Sequence, residues 1–365
     1  MGGDAGGVGG QGSTCVEAAQ REFEAQTLYL NTASMGLPPR RTSVALHETL
    51  DAIARGRRNA GDFDGAVAAS CATYAGLVGV QARDVAIGSQ ASALVGPVAA
   101  SLPDGAQVLV AEGDFTSVTF PFFAQQPRIG VSEVPLAQLP GAVTDETSLV
   151  ATSLVQSADG AVVDLDALVT ARQRHDTRIL LDLTQAAGWL PVDASRVDYT
   201  VCSAYKWLLC PRGTAFFTVR AERLGDIVPV SANWYAGADV WSSIYGGPLR
   251  LADEARRLDV SPVWLAWVGA QPALELLRDV GVAAIGAHSI ALADAFRRGL
   301  GVGSGLGQSP IVSVAVRDGV ADAIAAHDIV AAMRAGRLRL SFHLPNTPAD
   351  VERAVAALAP YVVAD

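Results

Sequence analysis

Between residues 85 and 219, short β-branched apolar runs alternate with stretches whose apolar side chains recur every three to four positions. Seven runs read as strands: VAIGS (85–89), QVLVAE (107–112), RIGVSEV (128–134), SLVATSLV (148–155), RILLDL (178–183), DYTVCSA (198–204) and TAFFTV (214–219). Helical spacing precedes the first strand at 41–60 and 62–79, and returns up to about residue 101, after residue 112 and near 164–175. Strands alternating with helices predict an α/β fold, with a large, mostly parallel seven-stranded sheet covered by helices on both faces.

The pattern changes near 230–260, where SANWYAGADVWSSIYGGPLR is rich in Trp, Tyr and Gly and reads as a loop. Helices are predicted at 261–281 and 286–299, then a strand at PIVSVAV (310–316), a helix from about 320 and a strand at RLRLSF (337–342). Thr347 suits an N-cap and Pro348 the first turn of a closing helix. The expected organisation is a flexible Gly-rich tail over 1–14, a large domain over 15–250 and a smaller C-terminal α+β domain over 251–365. The tail contains Gly7-Val8-Gly9-Gly10-Gln11-Gly12, a literal dinucleotide fingerprint, but no strand precedes it and no βαβ unit surrounds it.

Charge and cysteine usage narrow the function classes. A net charge of −10 argues against nucleic-acid or anionic-membrane binding, which need a basic surface. Cys15, Cys71, Cys202 and Cys210 form no C-x-x-C pair and no zinc-ligand spacing, so no metal site is expected and a reduced, cytoplasmic protein is. The N-terminus has no basic-then-apolar leader, and no apolar run reaches membrane-spanning length.

One residue stands apart. Among 27 Lys+Arg, Lys206 in CSAYKWLLCPRG is the sole lysine. Arginine would supply charge equally well, but a desolvated lysine can lose its proton and become a nucleophilic amine. In a parallel sheet, ligands sit beyond the carboxyl ends of the strands, and three predicted strand ends carry compatible chemistry. VAIGS leads into Gln90-Ala91-Ser92 at a helix start, which suits a phosphate. RILLDL ends on Asp182, a carboxylate in need of a cation, with Gln185 close by. DYTVCSA delivers Ser203, Tyr205 and Lys206. Pyridoxal 5′-phosphate has the matching phosphate, protonatable ring nitrogen and aldehyde.

The arrangement Asp182-x-x-Gln185-x-x-Gly188, then Asp193, Asp198 and Ser203-x-Tyr205-Lys206, resembles the class V aminotransferase superfamily of fold-type I pyridoxal-phosphate enzymes. That group includes cysteine desulfurases, kynureninases, isopenicillin-N-epimerase-like proteins and the sulfoxide lyase of ergothioneine synthesis. The resemblance runs from about Leu28 to the C-terminus and is most specific over 178–219.

It implies that Lys206 forms the internal aldimine and shuttles the α-proton, that Asp182 binds the pyridine nitrogen, and that Gln185 and Gln156 lie near the ring hydroxyl. It further implies phosphate contacts from Ala91, Ser92, Ser203 and Tyr205, and stacking of Phe115 on the ring. Ser261 would reach the phosphate of a neighbouring subunit in a homodimer with shared sites. Arg339, in R-x-S-x-x-x-x-N, would bind the substrate α-carboxylate, with Asn31 and Ser34 at the entrance. Trp234 in the aromatic loop is read as both pocket wall and interface.

Two departures refine the expected reaction. No cysteine follows Cys210, where cysteine desulfurases carry a sulfur-accepting thiol on a small-domain loop, and Tyr205 replaces a histidine common before the lysine. The resemblance therefore ranks C–S or other β-elimination of an amino acid first, transamination second, and epimerase- or kynureninase-like activity after them. A nicotinamide oxidoreductase is disfavoured by the misplaced glycine motif and by Tyr205 directly adjoining Lys206. A pseudoenzyme is disfavoured by the presence of Asp182, Gln185, Lys206 and Arg339 together.

Overall fold

A computed structural model describes residues 15–303 and 307–363, so the predicted tail lies outside the described residues. β1 (Leu28–Tyr29) is followed by helices Arg40–Ala54 and Asp64–Val78, then β2 (Val85–Gly88), helix Ala91–Ser101, β3 (Gln107–Ala111), helix Thr116–Phe123, β4 (Gly130–Val134) and β5 (Thr147–Ser153). Helix Leu165–His175 leads to β6 (Arg178–Asp182), β7 (Tyr199–Ser203) and β8 (Ala215–Val219). Helices Trp264–Val280 and Val282–Gly299 precede β9 (Ile311–Val314), helix Val320–Ala326, β10 (Ile329–Val330), β11 (Ala332–Arg334), β12 (Arg337–Ser341) and helix Pro348–Leu358.

The seven expected strands form one sheet in the order β2-β8-β7-β6-β5-β3-β4. β8 alone runs antiparallel to its neighbours, so the carboxyl ends of the other six share one edge. Alternation along the strands splits the burial between two cores. Ile179 and Leu181 of β6 face a core with Tyr74, Leu168 and Trp267, while Leu180 faces Val95, Val98 and Phe122. Helices thus cover both faces.

A three-stranded antiparallel sheet, β11-β12-β9, carries a third core with Phe296, Val312, Leu340, Phe342 and Leu358. Leu28 and Leu30 also belong to it, because β1 pairs with β10. Conversely, Trp267, Leu274 and Leu277 of helix Trp264–Val280 pack into the large-sheet core. Thr347 caps the closing helix in a reciprocal box: its hydroxyl accepts from Asp350 N at 3.3 Å, and its N–H donates to the Asp350 carboxylate at 2.9 Å.

Candidate active site

β5, β6 and β7 end side by side on Ser153, Asp182 and Ser203, and β2 ends next to the turn Ser89-Gln90-Ala91. These residues line a cavity of about 110 Å³ together with Phe115, Ser117, Ser157, Thr184, Gln185, Tyr205, Lys206 and Arg212. Lys206 is 4% exposed. Its Nζ lies 5.0 Å from the Phe115 ring centroid and 5.9 Å from that of Tyr205. Burial, opposed by Asp182 and assisted by the positive charges of Arg339 and Arg334, pushes the Lys206 amine down to about 8. A useful fraction is therefore the free amine near neutral pH, which arginine could not supply.

Asp182 is fully enclosed by the fold, and burial pushes its carboxyl up to about 6 against hydrogen bonds from Thr184 and the charge of Lys206. Thr184 N donates to one of its oxygens at 2.7 Å. Among the described residues no arginine or lysine forms an ion pair with it, so a cation arriving in the cavity would relieve its burial. Asp114 is the contrasting case: its two oxygens accept from Phe115 N, Ser153 N, Ser153 Oγ and Thr152 Oγ1. That carboxylate is saturated and fixes the bases of Phe115 and Ser153.

The lysine loop is locked from beneath. Trp207 Nε1 donates to Gln185 Oε1 at 2.7 Å, and the Trp207 carbonyl sits 3.0 Å from His343 Nε2. Gly188 has φ +109°, and a Cβ there would lie 2.5 Å from the Trp207 carbonyl oxygen. Gly36 donates its N–H to the Tyr205 carbonyl at 2.9 Å, and a Cβ there would stand 2.1 Å from the Lys206 carbonyl. These two glycines allow backbone to pass directly against the lysine loop.

Arg339 on β12 is 2% exposed and reaches from the small sheet to Ser157, a residue that lines the cavity. It donates to the Ser157 carbonyl and Oγ, and to Ser34 Oγ at 2.7 Å. Its Nε is buried without a partner. Burial, then Arg334, pushes its guanidinium down to about 10. A cation so placed is matched to an incoming carboxylate.

Several expected residues fall elsewhere. Ala91, Phe115, Asp182, Gln185, Ser203, Tyr205 and Lys206 line the cavity; Ser92, Gln156, Ser34 and Arg339 do not, the last two lying behind Ser157. Gln156 bonds its amide to the Ser153 carbonyl at 3.4 Å, and the next residue, Ser157, takes the place at the wall. The Gln185 amide nitrogen is committed to Ala33 O and Ser157 Oγ, both at 2.9 Å, so Gln185 ties the N-terminal segment to the cavity floor. Phe115 is 43% exposed over Lys206, as a ring-stacking residue requires and a packed core phenylalanine does not.

Asn31 bridges to Ser341 and leaves its Oδ1 buried without a partner. Ser261 is exposed in a loop. Trp234 meets Tyr235 edge-to-face and Trp241 at a tilt, outside the cavity lining, and those two neighbours bond Asp64. Asp198 accepts from Arg172 at 2.8 Å, Arg223 at 3.0 Å and Ile179 N at 2.9 Å, so it clamps the opposite end of β6 and β7. The sequence reading missed Ser153, Ser157, Asp114, Arg334 and Arg212, whose guanidinium stands 5.2 Å over the Tyr205 ring.

The residues present fit pyridoxal 5′-phosphate. Among the described residues Lys206 offers an amine with no hydrogen-bond partner, Asp182 a carboxylate with no ion pair, and Phe115 a ring face. The helix Ala91–Ser101 turns its uncapped N-terminus to the wall, with Ala91 N 3.2 Å from Ser203 Oγ.

The comparisons with known proteins agree. The aminotransferase class-V family model matches residues 128–306. An uncharacterized aminotransferase of Bacillus subtilis strain 168, YcbU, is 29% identical over 308 residues, covering 78% of this chain and 81% of that one. The cystine C–S lyase C-DES, solved with its product cysteine persulfide, superposes with a TM-score of 0.83 at 20% identity, over 92% of this chain and 98% of that one. A lysine-to-alanine variant of C-DES, with glycine covalently linked to its PLP cofactor, gives 0.84 at 20% identity over 92% and 97%. The chain is thus similar to the class V aminotransferases over residues 128–306, and it shares the fold of the C–S lyase C-DES.

Proposed function

We propose that this chain cleaves a C–S bond, or another bond at the β-carbon, of an amino acid, using pyridoxal 5′-phosphate. The observation that carries this reading is the pairing of a buried Asp182 and a buried Lys206 at adjacent strand ends of one cavity, neither of which forms an ion pair among the described residues. When bound, the cofactor supplies an electron sink for charge developing at the substrate α-carbon. Asp182 would hold its ring nitrogen protonated, Lys206 would hold its aldehyde, and the first turn of helix Ala91–Ser101, with Ser203, would hold its phosphate. Phe115 covers one ring face and excludes water from it.

Arg339 would take the substrate carboxylate and fix the α-carbon against Lys206. The Lys206 amine, pushed down to about 8, can then accept the α-proton and return it as ammonium. Loss of a β-sulfur substituent as thiol, followed by hydrolysis, yields pyruvate and ammonia. None of the described cysteines lines the cavity, and Cys202 and Cys210 are buried thiols pushed up by that burial. This favours sulfur leaving with the product over its capture by a protein thiol. Transamination is the second reading, favoured by the likeness to YcbU.

We also place the enzyme in the cytoplasm as a homodimer. The exposed Val230, Tyr245 and Leu249 beside the aromatic loop support an interface there. The direct test is incubation of cofactor-loaded protein with L-cystine, measuring pyruvate, ammonia and released sulfur. Equal yields of pyruvate and ammonia without a keto-acid acceptor support elimination. Turnover that requires such an acceptor supports transamination instead.

A further inference from the structure

The small-sheet wall carries more positive charge than one carboxylate uses. Arg339 and Arg334 both donate to Ser34 Oγ, at 2.7 and 3.4 Å. The register makes this possible: Arg339 lies opposite Ala332, and Arg334 is two residues further along β11, so both lie on one face of the hairpin. A serine oxygen offers lone pairs but no charge.

Three other half-buried or buried arginines meet acids: Arg172 and Arg223 meet Asp198, and Arg297 meets Asp294. Among the described residues, neither Arg334 nor Arg339 forms an ion pair. The other bonds of their guanidiniums go to neutral oxygens of Met333 and Ser157. The charge of Arg334 acts repulsively on the buried Arg339, and an anion between or beside the two would relieve that repulsion.

Resting on the functional reading above, we infer that this pair selects amino-acid substrates that carry a second carboxylate. Arg339, buried at the rim, takes the α-carboxylate, and the exposed Arg334 takes the second at the mouth of the cavity. Ser34 spaces the two guanidiniums and keeps both facing the entrance.

The probe is succinate against propionate, titrated calorimetrically into cofactor-loaded wild type and Arg334→Gln. Wild type is expected to bind succinate about tenfold more tightly, as one additional charge-assisted contact provides. Arg334→Gln should lose most of that preference. In turnover, the variant should lower kcat/KM for L-cystine, which has two carboxylates, about tenfold more than for S-methylcysteine. Equal affinity of wild type for both probes, or a preference that survives Arg334→Gln, overturns the inference. The visible cofactor band is recorded on the same samples, so loss of the cofactor reading is separable from loss of anion selectivity.

Discussion

The two walls of the cavity are built differently. The floor and one wall come from neighbouring strand ends of the large sheet, where Asp182, Ser203 and Lys206 lie within 25 residues of one another. The second wall lies behind the lining residue Ser157, where Arg339 bonds Ser34, 305 positions away, through a hydroxyl shared with Arg334. The first wall holds chemistry in a frame fastened by hydrogen bonds from Thr184 N to Asp182, from Ser203 N to Thr184 and from Trp207 to Gln185; the second holds charge that its own residues leave unbalanced. Reaction and selectivity are thereby assigned to separate elements of the fold, coupled through the electrostatic influence of Arg339 and Arg334 on Lys206.

The largest expected effect is on the first wall. Lys206→Arg keeps the charge and removes the titratable amine, so turnover should fall by on the order of 10²–10⁴-fold from lost proton transfer alone, measured as pyruvate release. On the second wall, Arg339→Gln should lower kcat/KM about 10- to 100-fold, mainly through KM, as loss of a charge-assisted hydrogen bond predicts. If both substitutions acted on KM alone, the division of labour between the walls would fail.

The coupling between the walls is testable through pH. Capture of the cofactor aldehyde by apoprotein needs the free Lys206 amine, so its rate should rise with pH about a midpoint near 8. Arg339→Gln removes a positive neighbour and should move that midpoint up. Asp182→Asn removes a negative one and should move it down. Stopped-flow absorbance against pH reads both signs.

Much of the first wall was legible because chemistry and sequence spacing coincide there. A lone lysine, a carboxylate at a strand end and a small-residue turn at a helix start all fall within one α/β pattern, and the seven strands follow from the same periodicity. The second wall was legible only at Arg339, through its local R-x-S motif. Arg334 carried no signal, because its meaning depends on Ser34 meeting it across the fold. Gln156 and Ser157 differ by one position, and which of them meets the cavity is decided by a turn that bonds Gln156 N to Ala161 O at 2.7 Å. Trp234 was chosen for its composition, yet it packs against Tyr235 and Trp241, which are themselves bonded to Asp64 at the start of helix Asp64–Val78.

The smallest effect concerns how the two walls are fastened. His343, just after β12, is buried against the Trp207 carbonyl, and burial pushes it down to about 3. An unfolded histidine titrates near 6.5, so the unfolded chain binds more protons between those values. Stability contributed by neutral His343 is therefore present above about pH 6.5 and is lost progressively as pH falls toward 3. Urea melts of wild type and His343→Asn should show a shallower acid slope for the variant.

The central claim is that Lys206 and Asp182 hold pyridoxal 5′-phosphate. Its most direct test is the visible absorption spectrum of purified wild type and Lys206→Arg, each after addition of the cofactor and removal of the excess. The account predicts a stable visible band in wild type that the variant lacks. A wild type without the band, or a variant that retains it unchanged, would contradict it.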